Sequence, residues 1–188
     1  MLRTEHSPLL TPRNLVLCAM IAFAVGYRLL VHFSAGALPW NFTPVEAMAL
    51  FGGAYFADRR LAVLVPLAAM ALSDAVIGFD GAMSLVVYAC IAATAFAGFG
   101  LRGRVRILNI AFASVASATG FYLITNFFVW LTGTMYAHSS AGLIECYVAG
   151  WPFYQYGSLP GTLLWSALLF GGFALLSRRY AGLRLATA

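Results

Sequence analysis

Six apolar runs follow one another along this chain, at residues 14–33, 44–57, 61–79, 83–101, 105–132 and 159–176. Any fold must shield that much apolar surface from water. Hydrophobic residues make up 62% of the 188 and charged residues only 9%, with a mean hydropathy of +0.87. A soluble domain carries about 25% charged residues. The composition therefore places the chain among integral membrane proteins. Inside a bilayer every backbone polar group must be satisfied internally, and helices do this within one segment. The predicted class is all-α: one domain of six transmembrane helices over 14–176, with tails at 1–13 and 177–188.

The basic residues test that count. All eleven are arginine, and ten of them flank the runs: Arg3 and Arg13, Arg59 and Arg60, Arg102, Arg104 and Arg106, then Arg178, Arg179 and Arg184. With six spans all ten fall on one side. By the positive-inside rule that side is the cytoplasm, so both termini are expected there, in a multi-pass membrane protein. A missed span would scatter the arginines over both faces. Nucleic-acid binding would also use arginines, but these sit in short loops beside apolar spans, so orientation explains them better. The first run follows Arg3 and Arg13 as a signal peptide would. At about 18 apolar residues it exceeds a typical h-region, so a retained helix is expected. Only Arg28 falls elsewhere, near the outer end of span one.

The second run is the unusual one. The stretch PWNFTPVEAMALFGGAYF at residues 39–56 opens as a polar turn and continues as a short run with one carboxylate, Glu46, and the pair Gly52 and Gly53. About 13 residues at 1.5 Å each give about 20 Å, short of a 30 Å hydrocarbon layer. Short, Pro- and Gly-broken segments point to binding sites in transporter-like proteins. This one is expected to form one wall of an outward-facing pocket.

The polar chemistry gathers on the outer side: Glu46, Asp74, Asp80, Glu145, His32 and His138, with the aromatics Trp40, Tyr136, Trp151, Tyr154 and Tyr156 in the outer loops. Residues 133–158 read as a long aromatic loop with a helix over 140–150. Ionisable groups at membrane depth default to functional hypotheses. For Glu46 and Asp74 two readings are open: ligand contact, or a structural pair with Arg28. Asn126 lines a pocket or bonds between helices. Trp40, Trp151 and Tyr154 form an interfacial belt or stack on a flat ligand. Cys90 lies inside span four, with Val86 and Val87 expected on its face and Tyr88 elsewhere. A buried thiol is more often a small hydrophobe than a ligand. The three cysteines, Cys18, Cys90 and Cys146, form no CxxC pair. The small residues Cys18, Ala22 and Gly26 make a stripe on span one that suits close helix approach, to a partner subunit or within the bundle. Gly98-Phe-Gly100-Leu-Arg-Gly103 fits GxGxxG but ends an apolar helix instead of following a strand, so it is not a nucleotide site. No Walker motif occurs, and any ATP dependence would belong to a partner.

As a set, NFTPVEAMALFGGAYF, PLAAMALSDAVIGF, FYLITNFFVWLTGTMY, AGLIECYVAGWPFY and the later LLFGG resemble a family of small bacterial six-helix membrane proteins, over about residues 28–172. The architecture is similar to the S-components of energy-coupling-factor vitamin transporters, most of all to the solitary cobalamin transporters of the BtuM type. The resemblance implies an uptake protein that takes a vitamin, cobalamin or another corrinoid, from the outer face. It implies that Cys90, with His32, ligates cobalt, and that Cys90 removes cyanide from cyanocobalamin. A thiolate is a soft, strong ligand, which makes cobalt binding chemically reasonable. Trp40, Tyr136, Trp151 and Tyr154 would then pack on the macrocycle, and Asn41, Glu46, Asp74, Tyr88 and Asn126 would meet its polar groups. The stripe on span one would dock an energy-coupling subunit. The alternatives are a transporter of the same fold for a smaller vitamin, a membrane-embedded thiol enzyme using Cys90 or Cys146, and an accessory protein.

Overall fold

The computed structural model describes residues 12–34, 39 and 41–180. Among them every regular element is helical. The helices are α1 (Pro12–Phe33), α2 (Val45–Tyr55), α3 (Arg59–Ile77), α4 (Gly81–Phe99), α5 (Ile107–Thr132), α6 (Ser140–Phe153) and α7 (Leu159–Arg179). A five-residue π-helical turn, Tyr154–Ser158, joins α6 to α7 without a break. Among the described residues, four helices are long and apolar enough to cross a membrane: α3, α4, α5 and the continuous 40-residue helix Ser140–Arg179.

The six expected runs are all helices, with no end moved by more than three residues. The last one runs on to Arg179, into what was expected to be the tail. The stretch at 133–158 needs correction. It is a loop only as far as Ser139, whose side chain caps α6 by accepting from the Gly142 N–H. The helix expected over 140–150 is present and runs further, through Phe153 and the π turn into α7, so 151–158 is helix and not loop. Pro152 and Gly157 suggest a break there, since proline cannot supply an intrahelical donor. The wider i→i+5 turn absorbs that loss, and Pro160 follows it closely, so the two prolines of this helix flank the π turn.

α2 is the centre of the molecule. Each of its eleven residues, Val45 to Tyr55, is buried. Around it stand α1, α3, α4, α5 and α7. In a bilayer lipid competes equally for apolar side chains, so close packing and polar ties decide helix association. Both are present. Gly53 on α2 meets Gly98 on α4 with the backbones nearly touching; a Cβ built on Gly53 would stand 2.8 Å from the Cα of Gly98, with the carbonyl of Ala95 also in its way. Gly98 of the discounted GxGxxG match is thus a helix-packing glycine. At the far end of α2, Arg102 donates from Nε to the Gly53 carbonyl at 2.8 Å and from Nη2 to the Phe56 carbonyl at 2.7 Å. These are carbonyls that a helix C-terminus leaves unsatisfied, and a cation is favoured there. Arg102 therefore has a structural task besides orientation. On the other flank, Phe51 and Tyr55 pack edge-on and tilted against Phe170 and Phe173 of α7.

Candidate functional site

α2 begins at the floor of a cavity of about 450 Å³. That lies within the usual range for small-molecule sites, about 300–1,000 Å³. Asn41 and Thr43 come from the turn before α2, and Val45 and Glu46 from its first turn. Arg28, Val31 and His32 of α1, Met70 and Ile77 of α3, Val87 and Ile91 of α4, Phe121 of α5 and Ser158 of the π turn complete the described wall. Asn41 takes a positive φ of 63° in the sharp turn that delivers the chain into α2, a conformation that asparagine tolerates better than most residues.

The two membrane-depth carboxylates differ sharply. Asp74 is fully engaged. Arg28 donates from Nη2 to Oδ1 at 2.7 Å, and the Tyr88 hydroxyl donates to Oδ2 at 2.8 Å. Arg28 also bonds Ser73 through Nη1. This cluster ties α1, α3 and α4 together, so the structural pairing, one of the two open readings, describes Asp74. Tyr88 is spent on the same cluster and does not line the cavity.

Glu46 has no such cation. Its side chain is buried at 6% exposure. The Thr162 hydroxyl on α7 donates to Oε2 at 2.5 Å, while Oε1 has no hydrogen-bond partner. A buried polar atom without a partner costs about 1–3 kcal/mol, more when it is charged, and unpaired polar atoms of this kind call for an explanation. Here the orphan atom belongs to a residue lining an empty-walled cavity large enough for a ligand.

Cys90 is buried but does not line this cavity. It faces a second cleft of about 190 Å³ between α4 and α5, with Ala93, Thr94 and Ala97 beside it and Ala116, Ser117 and Gly120 opposite. Helical rotation is the reason: Val87 and Ile91, one turn apart, take the cavity face, and Cys90 is turned away from Ile91 by about 100°. Val87, three residues before Cys90, neighbours it on the helix surface as expected, but only Val87 lines the larger cavity. Phe121 lines both spaces and stands between them. His32 lines the larger cavity, so the structure does not bring the two expected cobalt ligands together. Among the described residues no three His, Cys, Asp or Glu side chains group as a metal site.

The expected aromatic lid is also placed differently. Tyr154 and Trp151 pack on each other at 5.3 Å between ring centres, and Tyr122 of α5 lies against both. The Tyr154 hydroxyl shares a 2.8 Å bond with Thr119. Neither ring lines the cavity, nor does Tyr136, which is half-buried. Trp40 lies outside the described residues. Asn126 bonds its own helix at the Tyr122 carbonyl, and its backbone carbonyl accepts from the Cys146 thiol of α6 at 3.3 Å. It joins helices and does not line the cavity. Cys18, Ala22 and Gly26 face outward, with open space around Gly26, so the stripe is not packed within the described bundle.

Three residues went unnoticed as site or supporting groups: Thr162, Ser73 and Arg102. Serine and threonine in apolar helices are common, and nothing local in the sequence marks Thr162, which lies 116 residues from its partner.

Fold and cavity together define an all-helical protein with helices of membrane-crossing length and a small-molecule-sized cavity at one end. The chain matches a family of unknown function, DUF6580, over residues 9–184, and belongs to it. No curated protein and no solved structure matches the chain.

Proposed function

We propose that this is a six-span membrane protein that binds a small, vitamin-like molecule from the outer face of a bacterial inner membrane, in the manner of transporter S-components. The observation that carries this reading is the unpartnered Oε1 of buried Glu46, a residue that lines a cavity of small-molecule size. The short central α2, whose first turn supplies Glu46, accords with the same architecture, as does the gathering of arginines at one end. Both termini are then cytoplasmic. The outward-facing stripe of Cys18, Ala22 and Gly26 is available to lipid or to a coupling subunit.

The geometry favours a smaller ligand over a corrinoid. Cobalt ligation by Cys90, and with it thiol-mediated decyanation, requires Cys90 and the cavity to meet, and Cys90 lines the other cleft. The test is to purify the protein from its membrane, release bound small molecules by denaturation and identify them by mass spectrometry. Wild type should yield a compound in near-stoichiometric amount that Val87→Trp, which fills the cavity, loses. Equal recovery from both proteins would overturn the reading. A corrinoid recovered from wild type and lost in Cys90→Ala would restore the cobalt hypothesis instead.

A further inference from the structure

Granting that the cavity binds a ligand, the class of that ligand follows from its charge and its open hydrogen-bonding positions. Arg28, which also lines the cavity, is paired with Asp74, and one bond from each of its Nη atoms goes to Asp74 or Ser73. Glu46 forms no ion pair among the described residues, and Thr162 occupies only one of its oxygens. The buried wall thus carries one acidic group whose second oxygen lacks a donor. An anionic ligand would meet that oxygen acceptor to acceptor. A bound inorganic cation would seek about six oxygen ligands, whereas here one carboxylate oxygen stands open. A nitrogen that carries both a proton and a positive charge meets both demands at once, because charge-assisted bonds are the strong ones. The apolar wall of Val31, Met70, Ile77, Val87, Ile91 and Phe121 suits the rest of such a molecule.

We infer that the cavity recognises a small organic cation, an ammonium or protonated nitrogen heterocycle on an apolar body, which donates its N–H to Oε1 of Glu46. Thr162 is a positioning residue: its hydroxyl holds Oε2 and leaves Oε1 turned to the ligand. Glu46 carries the charge preference.

Three probes of nearly equal shape test this at neutral pH: tryptamine, a cation; tryptophol, its neutral hydroxyl counterpart; and indole-3-propionate, an anion. Binding is read by calorimetry on purified protein in nanodiscs. Wild type should bind tryptamine about tenfold more tightly than tryptophol, because the acceptor is the same carboxylate for both and only the ammonium adds an opposite charge to the bond, with indole-3-propionate weakest. Glu46→Gln keeps the side chain's shape and an acceptor for Thr162. It should bring tryptamine down to about the affinity of tryptophol. Equal or reversed preference in wild type overturns the inference without reference to any variant, as does a persisting tryptamine preference in a folded Glu46→Gln. If tryptophol binds wild type, is lost in Val87→Trp and is not outcompeted by tryptamine, the cavity reading stands and the cation inference alone falls. If none of the three probes binds, the cation inference falls, and the cavity reading is judged by the recovery of bound compound from wild type and Val87→Trp.

Discussion

At the scale of single residues, the cluster Arg28–Asp74–Tyr88 is a buried charge pair with an added hydroxyl donor. Removing one partner of such a pair is costly because the other charge is stranded, by about 3–5 kcal/mol. Asp74→Ala should therefore lower thermal stability in detergent strongly. Tyr88→Phe, which deletes one bond to a charged acceptor, should cost about 1.5–3 kcal/mol. An Asp74→Ala protein as stable as Tyr88→Phe would show that the pair contributes little. Part of this was legible in the sequence. Arg28 is the one arginine outside the flanking groups, so it needed a carboxylate. Which carboxylate it takes depends on how α1 crosses α3, and the sequence alone left Glu46 and Asp74 equivalent. Cys90 shows the opposite failure. Its depth in the helix was legible, but the face it presents is set by where α2 packs against α4, and that contact is made by Gly53 and Gly98.

At the scale of elements, α2 is held by contact at its side and by hydrogen bonds at its end. Adding a methyl group at Gly53 forces the two backbones apart, and overpacking of this sort costs about 1–3 kcal/mol or more. Gly53→Ala should sharply reduce the yield of folded protein, while Gly26→Ala, with open space around its Cβ, should leave melting temperature unchanged. Equal behaviour of the two would mean that the α2–α4 approach is looser than described. Arg102→Gln should destabilise by about 1–3 kcal/mol, through the two lost bonds to α2 carbonyls, and the thermal melt of the purified variant checks it. The shortness of α2 was readable from Pro44 and the glycine pair. Its central position was not: a short apolar run gives no sign of whether it lies at the rim or the middle. Nor was the joining of α6 to α7 readable, because proline and glycine mark loops more often than a π turn.

At the scale of the whole molecule, the α6–α7 connection bears directly on topology. Because Ser140–Arg179 is one continuous helix, Ser140 and the arginines after Ser177 must lie at opposite ends of it. α5 likewise separates Arg106 from Thr132. Successive crossings then put Asn41 and Ser140 at one end of the bundle and Arg59 and Arg104 at the other, in agreement with the grouping of arginines on the proposed cytoplasmic side. All four positions are exposed, so each accepts a cysteine without disturbing the core. In a background with Cys18, Cys90 and Cys146 replaced by alanine, a membrane-impermeant maleimide applied to right-side-out vesicles should label Asn41→Cys and Ser140→Cys. Arg59→Cys and Arg104→Cys should label only after permeabilisation. The reverse pattern would keep the proposed six spans and invert them, placing the cavity toward the cytoplasm and turning the proposed uptake into release. A split within either pair would break the span count itself, because two residues at one end of a bundle share a side of the membrane only if an even number of crossings separates them.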